Sequence, residues 1–170
     1  MAISDLIGPR VCLRPFSAAD ADEAFAAITP TLTRFMGFDP PPSRDAFDAI
    51  WRAWLPAIAE GSDITFCIRH RPSGRFLGLA GLHHAQTPEP ELGIWISERE
   101  HGHGYGREAV TVVAKWATAT LELAAFRYPV AERNLPSRRI AEALGGQVVA
   151  RETKPKYDAV IYRIPPAGSE

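Results

Sequence analysis

Three glycines alternate with other residues in one short stretch, and this stretch constrains the fold more than any other part of the sequence. An apolar run at residues 92–97 comes first, then Gly102, Gly104 and Gly106, and a helical pattern starts directly after them. Glycine allows the backbone to adopt positive φ angles and to lie close to a ligand. A helix start also presents free N–H groups and the positive end of the helix dipole, which together attract phosphate. The segment therefore predicts a strand, a turn and a helix that form a diphosphate site.

Apolar patterns in the rest of the chain predict a mixed α/β domain. Strands are expected at residues 10–16, 64–69, 76–83, 91–97, 126–131, 147–151 and 160–164. Helices are expected after Ser17, after Ser43, after the three glycines and after Asn134, because serine and asparagine often cap helix starts. We therefore expect one domain over residues 1–170. Its mixed, mostly antiparallel sheet should have roughly six to seven strands, flanked by about four helices.

Two prolines should interrupt the first two helices, because proline lacks an N–H and clashes with the preceding turn. Pro30 is expected to end the first helix. The second helix has an apolar face that includes Phe47, Ile50 and Leu55, and Pro56 should kink this helix or end it early.

The composition excludes several classes of protein. The formal net charge is -1, so no nucleic-acid partner is expected. No apolar run reaches membrane-spanning length, and the first seven residues lack the basic and apolar parts of a signal peptide. Cys12 and Cys67 lie in apolar stretches, so we expect buried thiols rather than nucleophiles or a disulfide. A cytoplasmic protein with no membrane partner is the expectation.

The glycine segment has alternative interpretations. A P-loop is excluded because no Gly-Lys-Ser or Gly-Lys-Thr follows. Residues 104–109 match the Gly-x-Gly-x-x-Ala pattern of a dinucleotide site, with Glu132 at the end of the next strand as a ribose ligand. However, the preceding strands are expected to form hairpins rather than βαβ units. A nicotinamide-dependent oxidoreductase therefore stays an alternative, and so does a turn that binds nothing.

Four motifs occur in the same order as in one protein family. Residues 13–16 read Leu-Arg-Pro-Phe, residues 101–106 His-Gly-His-Gly-Tyr-Gly, residues 106–109 Gly-Arg-Glu-Ala and residues 134–137 Asn-Leu-Pro-Ser. Together they resemble the GCN5-related N-acetyltransferase (GNAT) superfamily, in the branch of the ribosomal-protein N-terminal acetyltransferases (RimJ/RimL-like). His101 stands where Gln or Arg is usual. The resemblance implies a GNAT-like fold and direct acetyl transfer, in a ternary complex, from the cosubstrate acetyl-CoA to a primary amine of a peptide N-terminus or small molecule.

The resemblance also implies which residues hold acetyl-CoA. The strand before the glycines would bind the pantetheine arm through its backbone and polarise the thioester carbonyl with an N–H group. Pro129 interrupts the next strand, which suits a place where two strands separate. The acetyl-CoA ligands implied in this way are Ile94, Trp95, Ile96, His101, Gly102, His103, Gly104, Tyr105, Gly106, Arg107, Asn134, Ser137 and Arg138.

Two kinds of side chain are candidates for the general base. Glu91 is the first, because on an extended strand it shares a face with Gly93 and Trp95. The second is a histidine, which titrates near neutral pH. His84 and His83 are neighbours, and only one of them can face the cleft on a strand. We assign this second place to His84.

The general acid is harder to place. Many members of the superfamily have a tyrosine at a position that is Ala141 here. The branch resembled uses a serine nearer the helix start, where Ser137 stands. Ser137 is therefore the candidate that hydrogen-bonds the sulfur of CoA, although it can also serve only to cap its helix. Because this tyrosine is missing, a domain that binds acyl-CoA without catalysis stays an alternative.

Other side chains have less specific roles. His83, His84, His101 and His103 have no carboxylate or cysteine at ligand spacing beside them, so no metal is expected. Phe35, Phe38 and Trp54 are candidate walls of the acceptor cleft by resemblance to the family. Both a monomer and a homodimer are compatible with the sequence.

Overall fold

The strands within residues 2–168, the part of the chain that the computed structural model describes, all belong to one sheet. Of the expected domain, Met1, Ser169 and Glu170 lie outside the described residues. The strands are β1 Leu6–Ile7, β2 Val11–Pro15, β3 Ile64–His70, β4 Phe76–His83, β5 Glu91–Ile96, β6 Phe126–Ala131, β7 Gln147–Thr153 and β8 Asp158–Ile164. Their order across the sheet is β1-β2-β3-β4-β5-β6-β8-β7.

Every neighbouring pair of strands is antiparallel except β5 and β6, which run parallel. This confirms the mixed, mostly antiparallel sheet. The described residues form eight strands rather than six or seven, because the two-residue strand β1 pairs with β2 without any sequence pattern that predicts it.

Helices cover both faces of the sheet. They are α1 Ala21–Ala27, α2 Pro30–Thr33, α3 Arg44–Glu60, α4 Tyr105–Thr120 and α5 Leu135–Ala143. On one face, α1 and α3 pack over β3 and β4. On the other face lies α4, where the Trp116 ring contacts Phe66 of β3 at 5.8 Å between centroids. No helix of residues 2–168 is long and apolar enough to cross a membrane.

The expectation that Pro30 ends the first helix was wrong. Helix α1 ends earlier, at Ala27, and Pro30 is the first residue of α2. The Thr29 side chain caps this second helix by accepting a hydrogen bond from the Leu32 N–H at 3.1 Å. Proline is well suited to a first helical position, because its missing N–H would have no helical partner there.

Of the two outcomes expected at Pro56, a kink or an early end of the helix, the structure excludes the early end. Helix α3 continues through Pro56 to Glu60 and is capped by Gly61 in a left-handed conformation. Trp51 and Ile58, on either side of Pro56, are buried against the core. We attribute the continued helix to this packing, which offsets the cost of about 3 kcal/mol for proline inside a helix.

The apolar face predicted for α3 is narrower in the structure. Phe47 is buried, as expected, but Ile50 and Leu55 are exposed. Both cysteines lie in strands and are free thiols, Cys67 buried and Cys12 half-buried. Burial is the first cause that raises the pKa of each thiol above its ordinary value, which disfavours the nucleophilic thiolate.

Candidate active site

The parallel strands β5 and β6 pair at one position and then separate. Glu91 is opposite Arg127, and the Arg127 N–H donates to the Pro90 carbonyl at 2.9 Å. In a parallel ladder the next donor on β6 lies two residues further on, at Pro129, which has no N–H. The ladder therefore stops, and Pro129 stands where the two strands separate, as the sequence predicted.

The edge of β5 beyond this point is open toward β6. The Ser97 N–H donates to the Leu77 carbonyl on the β4 side at 2.7 Å. Because backbone groups alternate in direction along a strand, the N–H and C=O of Ile94 point the other way, toward β6. The described residues of β6 pair with β5 only at Glu91. The backbone of Ile94 is thus available to a ligand that lies between the two strands.

The glycine turn leads into α4 as the sequence predicted. Gly102 and Gly104 have φ angles of 83° and 79°, in the left-handed region that favours glycine. Gly104 is the N-cap residue of α4, so the N–H groups of residues 104–107 have no partner within the helix. A Cβ at Gly106 would lie 3.3 Å from the Ile140 side chain. Glycine there allows the start of α4 to pack closely against α5.

Arg10 fixes the glycine turn from outside the predicted site. Its guanidinium donates to the His103 carbonyl and to the Glu108 carboxylate, each at 2.9 Å, and stacks over the Tyr105 ring at 4.7 Å. The Glu108 carboxylate also accepts from the N–H groups of Arg10 and Val11. Burial opposes ionisation of Glu108, but these hydrogen bonds lower its pKa below the ordinary value. The role of Arg10 could not be found from the sequence, because its partners are more than ninety residues away.

The side chains expected at the diphosphate site have different positions. The His101 Nε2 atom lies 2.6 Å from the Ile96 carbonyl oxygen, which ties the turn to the end of β5. His103 and Arg107 are exposed beside the turn, while Tyr105 is buried. Arg138 instead donates to the Tyr162 hydroxyl at 2.9 Å and to the Glu132 carbonyl at 3.1 Å. The Arg138 guanidinium therefore forms hydrogen bonds within the fold itself.

The start of α5 brings Ser137 next to a buried tyrosine. The Asn134 side chain accepts from the Ser137 N–H at 3.4 Å. The hydroxyl oxygens of Ser137 and Tyr128 are 2.5 Å apart, and the Tyr128 hydroxyl also lies 3.1 Å from the Ser137 carbonyl oxygen. Burial raises the pKa of Tyr128 to about 12. Tyr128 was not among the predicted residues, because its only signal in the sequence is its place in the apolar alternation along β6.

An apolar cleft of about 370 Å³ lies on the face of the sheet covered by α1 and α3. Its floor includes Gly81 of β4 and Gly93 of β5, which are directly opposite each other. Phe38 and Trp54 line it, as expected, whereas Phe35 is not one of its lining residues. The cleft therefore reaches β5 from the face opposite α4.

The His83 imidazole lies over the two glycines. Its Nε2 atom is 2.5 Å from the position that a Cβ of Gly81 would occupy and 3.4 Å from that of Gly93. Its Nδ1 atom is 2.8 Å from an oxygen of Asp63. The carboxylate fixes the ring so that Nε2 is directed into the cleft. Asp63 was not found in the sequence, because twenty residues separate it from its partner.

The two bases predicted first are not brought into this cleft. His84 follows β4 with a φ of 52° and is exposed, and its backbone carbonyl accepts from the Thr87 hydroxyl at 2.7 Å. Glu91 lies outside the lining of the cleft and is 3.4 Å from the Arg127 guanidinium. Within residues 2–168, no group of three or more His, Cys, Asp or Glu side chains could hold a metal ion.

Comparisons with known proteins identify a matching family model and similar folds. Residues 10–147 match the family model of the acetyltransferase (GNAT) domain. An acetyltransferase from Agrobacterium tumefaciens str. C58 is 25% identical over 96% of this chain and 95% of that chain, with a TM-score of 0.77. RimL, the ribosomal L7/L12 alpha-N-protein acetyltransferase in complex with coenzyme A, is 11% identical over 98% and 100%, with a TM-score of 0.84. Spermidine N-acetyltransferase from Vibrio cholerae, in complex with CoA and spermine, is 16% identical over 92% and 96%, with a TM-score of 0.79.

Proposed function

Because the chain belongs to the acetyltransferase (GNAT) family and has a fold similar to that of RimL, we propose that it transfers the acetyl group of acetyl-CoA to a primary amine. The acceptor is a small molecule or a peptide N-terminus. One observation carries the proposal: strands β5 and β6 separate beside the start of α4. There the start of α4 lies against one face of β5, and the His83 imidazole lies against the other face. A thioester held along β5 would then be reached from the apolar cleft.

The described residues fit acetyl-CoA. The free N–H groups of residues 104–107 would bind its pyrophosphate, with Arg107 exposed beside them as an added positive charge. The open backbone of Ile94 would bind the amides of the pantetheine arm, much as a neighbouring strand would. A backbone N–H group of β5 near Ile94 would polarise the carbonyl of the thioester. When bound, acetyl-CoA supplies the acetyl group as an activated thioester.

His83 would act as the general base. The amine nitrogen loses a proton as its bond to the acetyl carbon forms, and Nε2 of His83 is directed to the place where that nitrogen would lie. Asp63, hydrogen-bonded to Nδ1, orients the ring and stabilises its positive charge. We assign the base to His83 rather than to Glu91 or His84, because those two lie outside the cleft.

Ser137 would hydrogen-bond the sulfur as the bond between carbon and sulfur breaks. Its hydroxyl is held by Tyr128 at 2.5 Å. A thiol has an ordinary pKa of about 8.5, far below the value of about 12 for Tyr128. Tyr128 therefore keeps its proton and orients Ser137, and the thiolate takes its proton from solvent through the Ser137 hydroxyl.

The fold argues against the nicotinamide alternative. Strands β2 to β5, which precede the glycine turn, form an antiparallel series. A dinucleotide-binding fold would instead have parallel strands joined by crossover helices.

Calorimetric titration with acetyl-CoA, and with NAD in parallel, tests the cosubstrate. We expect micromolar binding of acetyl-CoA and no binding of NAD. Binding of NAD without acetyl-CoA would overturn the proposal. Release of free thiol from acetyl-CoA in the presence of amines then tests catalysis. Tight acetyl-CoA binding without thiol release from a broad amine panel would instead support the alternative of a domain that binds acyl-CoA without catalysis.

A further inference from the structure

We infer that the acceptor is a small primary monoamine with an apolar or aromatic body, rather than a polyamine or a peptide with a polar first residue. This inference rests on the acetyl transfer proposed above and specifies its second substrate. It depends on the walls, the charges and the size of the apolar cleft.

Most of the residues that line the cleft are apolar. Trp54 and Trp95 are among them, and Trp95 is buried. At the rim, Phe38 and Ile50 are 42% and 43% exposed. Large apolar side chains that remain exposed around a concave site favour a ligand that covers them with apolar surface.

The charged groups of the cleft are already paired. Asp39 is the only carboxylate among its lining residues in the described chain, and the Lys156 ammonium binds it at 2.9 Å. Asp63 lies behind the His83 imidazole and is hydrogen-bonded to it at 2.8 Å. The Asp39 side chain is 81% exposed and already binds Lys156, so it lies in solvent rather than inside the cleft. A second ammonium of a polyamine inside the cleft would therefore lose water without gaining a carboxylate. One amine can be deprotonated by His83, but a second would stay charged against apolar walls.

The volume of the cleft favours a short acceptor. About 370 Å³ is near the lower end of the range for small-molecule sites. Among the lining residues of the described chain, the other polar side-chain groups are the Thr65 hydroxyl, the His83 ring and the indole N–H groups of Trp54 and Trp95. Such a site has few partners for the amide groups that follow the amine of a peptide, and buried amide groups without partners are costly. An amine over Gly93 with a phenyl-sized body toward Phe38 and Ile50 matches the arrangement.

Thiol release from acetyl-CoA with three acceptors tests the inference. The acceptors are phenethylamine, spermidine and a tripeptide that begins with serine. We expect kcat/KM for phenethylamine to exceed each of the others by at least about tenfold, which is the scale of discrimination by apolar contacts. A higher kcat/KM for spermidine or the peptide would overturn the inference and leave acetyl transfer intact.

Two exposed residues of α3 provide a matched pair of variants. Ile50 lines the rim of the cleft, whereas Leu55, which is 38% exposed, does not. Ile50→Asp should lower kcat/KM for phenethylamine by about tenfold, and Leu55→Asp should change it by less than about twofold. Equal effects of the two substitutions would contradict a role of this rim.

A binding measurement keeps the inference testable if no amine is acetylated. That result would count against the proposed function alone. Saturable binding of phenethylamine to the wild-type protein, weakened in the Ile50→Asp variant but not in Leu55→Asp, would still support an apolar amine site. Absence of such binding together with absence of turnover would overturn the inference as well.

Discussion

His83 has its position because Gly81 leaves room for it. A Cβ at Gly81 would lie 2.5 Å from Nε2 of the ring, whereas a Cβ at Gly93 would lie 3.4 Å away, at ordinary contact distance. Asp63 holds the opposite nitrogen. Any side chain at residue 81 would displace the imidazole. The position of the histidine that we propose as the general base therefore depends on the glycine at residue 81 as well as on its own identity.

The first prediction separates the two neighbouring histidines. His83→Ala should lower kcat by about 100-fold, since general-base catalysis contributes at least that much in enzymes. His84→Ala, at an exposed position outside the cleft, should change kcat by less than about twofold. Steady-state kinetics with a saturating amine measures both effects. A larger loss in the His84 variant would restore the sequence-based candidate.

The second prediction concerns the buried hydroxyl of Tyr128. Burial raises its pKa from 10.0 to about 12. The unfolded chain therefore loses this proton first, so the contribution to stability is complete below pH 10 and is lost as the pH rises toward 12. Between about pH 9 and pH 11, the free energy of unfolding of the wild-type protein should fall by about 1.4 kcal/mol more than that of Tyr128→Phe. Denaturant titrations at the two pH values test this, and equal falls would contradict it.

There is a physical reason why the sequence alone could not distinguish His83 from His84. Strand alternation shows that only one of His83 and His84 can face the cleft, but it does not say which. That is decided by the turn after β4, where the backbone of His84 is left-handed. Asp63 and Tyr128 contact side chains that lie twenty and nine residues away in the chain, and a single sequence does not show which of these side chains meet.

The strand–glycine–helix element owes its form to backbone conformation. Gly102 and Gly104 are left-handed, and the second of them caps α4. This part of the site could be predicted from the sequence, because the residues needed for a positive φ are few and lie together. Strands β4 and β6 also have the predicted bounds. The helix does not end at Pro56, because tertiary packing outweighs local propensity.

The third prediction tests this element by substituting two glycines that have similar positive φ angles. Gly104→Val and Gly74→Val both force a left-handed residue to carry a branched side chain, with φ angles of 79° and 73°. Each should lower the free energy of unfolding by about 1–2 kcal/mol. Only Gly104→Val should also abolish acetyl-CoA binding in calorimetry, because Gly74 lies in the hairpin between β3 and β4. Retained affinity in the Gly104 variant would exclude the turn as the diphosphate site.

At the scale of the whole molecule, Lys156 links the C-terminal hairpin to residues 33–39, which are far from it in the chain. Lys156, in the turn between β7 and β8, donates to the backbone carbonyls of Thr33 and Phe38 at 2.8 Å. It also binds the Asp39 carboxylate. The segment that it holds carries Phe38 and forms one wall of the apolar cleft. The C-terminal hairpin thus supports the acceptor site from outside.

The fourth prediction follows from this connection. Lys156→Ala should raise KM for the amine by about threefold to tenfold, because three hydrogen bonds that hold the wall are lost. The affinity for acetyl-CoA should not change. Lys154→Ala is the matched control, since Lys154 pairs only with Glu152 on the same hairpin among its described contacts. Kinetics with each substrate varied in turn distinguishes the two effects, and an unchanged KM for the amine would refute the role of Lys156.

The single pairing between β5 and β6 also affects how the molecule responds to its cosubstrate. The sheet consists of two blocks, β1 to β5 and β6 to β8. In the β-ladder between them, only Glu91 and Arg127 are paired. An extended arm bound between them would supply the missing hydrogen bonds and act as an additional strand. Binding would then slow amide exchange along this seam and couple the blocks mechanically. It would also complete the floor of the acceptor cleft, so the amine would enter second in an ordered addition of substrates.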